Sequence, residues 1–197
     1  MDTSLLDEIK NLAASLSSEV VDIRRHLHKH PELSFEEVQT SAWICGQLDE
    51  LGIPYTRNWA GNGIVAEIQS RNSNKVVALR ADMDALPILE ANEVSYKSVN
   101  EGVMHACGHD VHMACLIGAV RILNSLKEKL PYCIRIIFQP GEEKLPGGAS
   151  MMIREGVLES PIPIAILGQH VFPSLAAGKV GIRSGLYICL LYTSRCV

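Results

Sequence analysis

Four short apolar runs constrain this chain more than any other feature: GIVAEI (63–68), VVAL (76–79), CIRIIF (133–138) and IPIAIL (162–167). Each has the length and the β-branched content of a strand. Between the later runs the pattern turns helical, with a largely buried helix expected over residues 112–129 and a short one near 149–155 that stops at Gly156. Strands alternating with helices predict an α/β fold, a mixed and largely parallel sheet flanked by helices. The turn-rich SRNSN between the first two runs predicts that they form a hairpin.

Two helices precede the first run. Leu5, Ile9, Leu12, Leu16, Val20, Ile23 and Leu27 recur at three- and four-residue spacings and stop before Pro31. A second helix follows with a buried face of Val38, Ala42, Cys45, Leu48 and Leu51. Ser34 and Glu37 match the S-x-x-E capping pattern at its start, and Gly52 supplies a left-handed stop.

The ends of the strands carry the chemistry. VVAL runs into Arg80, Asp82 and Asp84, CIRIIF into Gln139, Glu142 and Glu143, and IPIAIL into Gln169 and His170. Ligands of open α/β sheets bind outside the carboxyl ends of strands, so these tails are expected to share one crevice. MHACGHDVHMA (104–114) lies just ahead of its helix and brings three of the chain's seven histidines, with Cys107 and Asp110, to the same place.

Gathered there, Cys107, His109, Glu143 and His170 offer a thiolate, two imidazoles and a carboxylate, a set suited to a divalent transition metal. Asp82, Asp84 and Asp110 add negative charge, which two dications about 4 Å apart would balance better than one. In an extended stretch Cys107 and His109 face one way across Gly108. Adjacent Glu142 and Glu143 would point apart in a strand, so one can bind metal while its neighbour handles a proton. That division suits metal-assisted hydrolysis of an amide, in which a carboxylate takes a proton from acidified water and returns it to the leaving amine.

Plainer roles compete with these. His26, His28, His30, His105 and His112 read as non-ligands, and Cys45, Cys115 and Cys133 as packing residues on apolar faces. Asp110 can cap its helix, and Asp82 and Asp84 can be solvated at a strand end. With 18 basic and 22 acidic residues, a formal charge of −4 and no basic cluster, a nucleic-acid partner is not expected. Neither a membrane-length apolar run nor a signal-peptide pattern is evident, so the expected location is the cytoplasm. Six cysteines without a C-x-x-C pair call for no disulfide framework.

RRHLHKHPELSFEE (24–37), LRADMDALPI (79–88), MHACGHDVHMA, IIFQPGEE (136–143), GGASMMIREGVLE (147–159) and GQHVFPSLAAGKVGIRSG (168–185) together resemble the metal-dependent N-acyl-amino-acid amidohydrolases. That family includes hippurate hydrolase, auxin-conjugate hydrolases and related aminoacylases and carboxypeptidases. The resemblance implies a zinc-peptidase-like catalytic domain in which Cys107, His109, Glu143 and His170 bind two divalent ions, zinc or manganese, with cobalt also compatible. It implies Glu142 as general base and Asp84 as a residue that orients a ligand. The implied substrate is a small N-acyl amino acid, split into a carboxylic acid and an amino acid.

Members of that family are about twice this length. Residues 1–187 are therefore expected to be the N-terminal part of the catalytic domain and 188–197 an atypical tail. A lid domain, through which the full-length form is expected to dimerise, and a later C-terminal catalytic segment with one more histidine ligand lie outside the sequence. Two alternatives stay open: a metal-binding fragment without catalysis, and a dipeptidase or carboxypeptidase with the same centre.

Overall fold

In the computed structural model, which describes residues 3–182, helix α1 (Thr3–Lys29) and helix α2 (Val38–Glu50) lead into strands β1 (Tyr55–Trp59), β2 (Gly63–Ile68) and β3 (Val76–Asp82). Helix α3 (His109–Ser125), strand β4 (Cys133–Gln139), helix α4 (Gly148–Arg154) and strand β5 (Ala165–Gly168) follow. The sequence end read as an atypical tail lies outside the described residues. No described helix is long and apolar enough to cross a membrane.

The sheet is mixed, in the order β1-β2-β4-β3-β5. Strand β4 runs parallel to β3 and antiparallel to β2, while β5 runs parallel to β3. The expected hairpin between GIVAEI and VVAL does not form, because β4 inserts between them. Instead β2 makes its tight antiparallel pair with β1, YTRNW, whose three central residues are exposed and carry little strand signal.

All seven residues of β4 are buried because both faces of the sheet are covered. Ile134, Ile136 and Phe138 join Ile64, Ala66, Ile68, Met113, Ile117 and Leu48 on the face beneath α1, α2 and α3. Ile137 packs with Val65, Ala78, Met152 and Val157 on the face covered by α4. Each fully buried Ile, Leu or Phe here contributes about 1.5–3 kcal/mol relative to exposure. This layered core fixes the carboxyl ends of β3 and β4 at one rim of the sheet, with Asp82 opposite Gln139, and the exposed β5 joins them there by its parallel pairing with β3, Arg80 opposite Gly168.

The capping pattern at α2 has a different use. No side chain caps the helix from Glu37, the residue before Val38. The free amides of the first turn go to Glu32, whose Oε1 and Oε2 accept from Gln39 N and Thr40 N at 3.1 and 2.8 Å. Ser34 and Glu37 both point into the rim of the sheet. The expected stop at Gly52 is present, at φ +63.

Candidate metal centre

Beyond β3 the chain turns through Asp82, Met83 and Asp84, all about 1% exposed or less. Asp82 is not a solvated strand end: Arg80 Nη1 donates to its Oδ2 at 2.7 Å, and His112 Nδ1 to its Oδ1 at 2.6 Å. Arg80 is itself held by Gln139, whose Oε1 accepts from Nε and Nη2 at 2.9 and 2.6 Å. Asp84 Oδ2 accepts from the Ser34 hydroxyl at 2.6 Å and from Glu143 N at 2.9 Å. Burial works against its charge, yet these bonds and His109 hold its carboxyl below the usual range.

Cys107 and His109 converge by a turn rather than by extended alternation. Gly108, at φ +99, is the left-handed residue that starts α3, and a Cβ on it would collide with the Val171 side chain. His109 is fully buried. Its Nδ1 lies 2.7 Å from the Asp84 carbonyl, which can only accept, so Nδ1 carries the proton and Nε2 is left free.

That Nε2 is an orphan, buried without a hydrogen-bond partner. Around it stand Asp82 Oδ2 at 3.7 Å, Glu143 Oε1 at 3.8 Å and Glu142 Oε2 at 4.0 Å. His170 repeats the arrangement: its Nδ1 donates to the Val171 carbonyl at 2.7 Å and its Nε2 approaches Cys107 Sγ at 3.5 Å. Ligand atoms of Cys107, His109 and His170 lie within 4.8 Å of one another, as do those of His109, Glu142 and Glu143. The structure thus brings Cys107, His109, Glu142, Glu143 and His170 together, with Asp84 behind His109.

These groups fit a cation. Burial opposes a charge on His109, yet the Asp84 carboxylate and the Cys107 thiol close to the ring, with the charges of Asp82 and Asp84, push its pKa up to about 11. The acidic surroundings stabilise positive charge at this point, and the Nε2 atoms of two imidazoles beside a thiol and carboxylates are the donor set of a transition metal. Asp82, His109 and His112 also fall within 4.8 Å. His112, however, spends both nitrogens, since its Nε2 accepts from Val171 N at 3.1 Å while Nδ1 bonds Asp82.

Glu142 and Glu143 do not lie in a strand. They follow Gly141, at φ +55, in a loop after β4, and both turn toward His109. Burial, then the charges of Glu143 and Asp82, raise the Glu142 carboxyl above the ordinary range. The Cys107 thiol is also raised: the His109 ring close to it pulls it down, but burial and Glu143 outweigh that.

Beside the centre lies a second buried network. Asp110 does not cap α3; its Oδ2 accepts from Arg24 Nε and pairs with His28 Nδ1, both at 2.8 Å, and His28 Nε2 meets Glu90 Oε1 at 3.0 Å. His105 is buried with neither ring nitrogen bonded, and burial lowers its pKa to about 4, so the ring is neutral. Residues 24–37 contain most of what was missed, namely Ser34 and Glu37 at the site and His28 behind it. Their one signal was position inside the stretch that resembles the amidohydrolases.

A model described as peptidase family M20/M25/M40 matches residues 78–188. The chain belongs to that family. Among relatives of this M20 chain, an N-acyl-L-amino acid amidohydrolase of Geobacillus stearothermophilus is 41% identical over 91% of this chain and 48% of its own length. An N-acetyl-L-cysteine deacetylase of Bacillus subtilis is 42% identical over 87% of this chain and 41% of its own. A crystal structure from Bacillus subtilis, described as a dinuclear metal binding peptidase of family M20, superposes with a TM-score of 0.82 at 40% identity, over 87% of this chain and 48% of that one. This M20 chain spans about half the length of the curated relatives it matches.

Proposed function

We propose that this chain carries the metal-binding half of a dinuclear metalloenzyme that hydrolyses the amide bond of N-acyl amino acids, hippurate-like compounds among them. The carrying observation is the buried, unpartnered Nε2 of His109 facing Cys107, Glu142 and Glu143. Cys107, His109, Glu143 and His170 would hold the two ions, and the activities for which the amidohydrolase and deacetylase relatives are named support the substrate class. A thiolate with two imidazoles favours zinc, while the carboxylates also suit manganese or cobalt.

Bound there, the ions would supply acidified water and polarise the acyl carbonyl. The chain's own residues divide the remaining work. Glu142, whose affinity for a proton is raised above that of an ordinary glutamate, takes the proton and delivers it to the leaving amine. Asp84 holds His109 by the backbone carbonyl on Nδ1–H, with its carboxylate 3.2 Å from the same nitrogen.

Metal analysis of the purified chain, paired with assays on hippurate, N-acetyl amino acids and dipeptides, tests the proposal. Two ions per chain are expected, and hydrolysis of N-acyl amino acids in preference to dipeptides is expected from a version extended to the relatives' length, with Glu142→Gln keeping the ions and losing the activity. If Glu142→Gln retains most of the activity, the assignment of the proton to Glu142 is wrong. Stoichiometric metal without turnover in the extended protein favours a non-catalytic metal-binding protein.

A further inference from the structure

We propose that Glu37 is a positioning residue for the metal centre, holding by its carboxylate the loop that carries Glu142 and Glu143. The inference rests on the functional reading above and adds a residue to it. Glu37 is fully buried, and its Oε1 accepts the Gly141 N–H at 2.7 Å, one residue before Glu142. Its other oxygen, Oε2, is pinned by Asn62 Nδ2 at 3.2 Å, and the same amide nitrogen donates to the Phe35 carbonyl at 3.0 Å. Across the loop, the Glu143 N–H goes to Asp84 Oδ2, which Ser34 also holds. The loop is thus gripped by two buried carboxylates, one on either side of Glu142.

The surroundings show that this grip is built for the loop and not for α2. Residues 34–37 adopt a tight path in which Phe35 takes φ +68, a conformation uncommon for a bulky residue, and its ring lies against Gly141 where any side chain would collide with it. The Gly141 carbonyl in turn accepts from Gly148 N at 2.8 Å, so both backbone polar groups of Gly141 are used. The amides of the first turn of α2, by contrast, are served by Glu32. Beside the backbone of its own residue and of Phe35, the Glu37 side chain spends its hydrogen bonds outside α2, on Gly141 and Asn62.

The test compares cobalt binding by the 197-residue chain with Glu37→Asp, Glu37→Gln and His109→Ala, by chelator competition and by the cobalt–thiolate absorption band, well below each melting temperature. Aspartate keeps the charge but is one methylene too short to reach Gly141. Glutamine keeps a carbonyl oxygen that can accept from it. Glu37→Asp is expected to lose about tenfold or more in affinity, the usual effect of removing a group that orients a ligand, while Glu37→Gln stays within about threefold. His109→Ala reports on the underlying centre: if it binds cobalt as the unaltered chain does, or if the unaltered chain takes up none, the metal-centre reading itself is wrong. With that control behaving, unchanged affinity in Glu37→Asp, or an equal loss in Glu37→Gln, overturns the positioning role. If Glu37→Asp shows no cooperative melt, Asn62→Ala takes its place, with a loss above about threefold supporting the role and no loss overturning it.

Discussion

Ser34 separates two readings of the stretch before α2, and they differ most sharply in what an acidic residue would do there. As a helix cap, serine and aspartate are interchangeable, and the change Ser34→Asp would be close to neutral. In the structure the Ser34 hydroxyl instead donates at 2.6 Å to Asp84 Oδ2, in a site where Ser34 is 7% and Asp84 1% exposed. Ser34→Ala removes one charge-assisted bond while Glu143 N remains on the same oxygen, a cost of about 1.5 kcal/mol. Ser34→Asp places a second carboxylate against the first, and two like charges about 4 Å apart at an effective dielectric near 20 repel by about 4 kcal/mol. For a chain of this size each kcal/mol shifts the melting temperature by about 2–4 °C, so the expected losses are about 3–6 °C for alanine and about 8–16 °C for aspartate. Differential scanning calorimetry at neutral pH reads both. A Ser34→Asp protein that melts with the unaltered chain refutes the contact with Asp84 and restores the capping role.

Two further outcomes follow from the buried network and from the centre itself. The bond with Asp110 raises the His28 pKa, against burial and with help from Glu90, so its stabilising contribution is complete below the unfolded value near 6.5 and is lost as pH rises through the folded value. Asp110 and Glu90 are lowered, and their contribution is lost only as pH falls through their folded values; melting scans on the alkaline side should therefore show a decline that Glu90→Gln with His28→Asn reduces, and an unchanged slope in the double variant contradicts the network. Cys107 is half-buried beside His109 and His170, so zinc should slow its alkylation by about tenfold or more while leaving Cys115 unaffected, as read by peptide mass spectrometry; equal rates with and without zinc contradict its role as a ligand.

Much of this was legible from apolar runs and their tails. Four strands, the long buried helix and the meeting of Asp82, Glu142, Glu143 and His170 at one rim follow from period and burial, which act locally. Pairing order does not act locally: SRNSN looks like a hairpin turn, and nothing in those residues reveals that β4, over 60 positions later, slides between β2 and β3. Strand β1 was hidden because an edge strand with three exposed central residues has no apolar alternation to display. Ser34 and Glu37 satisfied a helix-start pattern that Glu32 fulfils in fact, and only the fold brings their side chains to Asp84 and Gly141. His28 was read as a non-ligand and Asp110 as a cap or a source of negative charge, and their joining in one network was not legible because burial by a distant loop bearing Glu90 cannot be seen from α1 or α3 alone.

Anomalous diffraction from crystals of this chain grown with zinc or manganese addresses the account most directly. Two ions coordinated by His109 Nε2, Cys107, Glu143 and His170, with Glu142 beside them, is the predicted result. An empty pocket with His109 Nε2 still unpartnered, or ions bound only elsewhere on the surface, would contradict it.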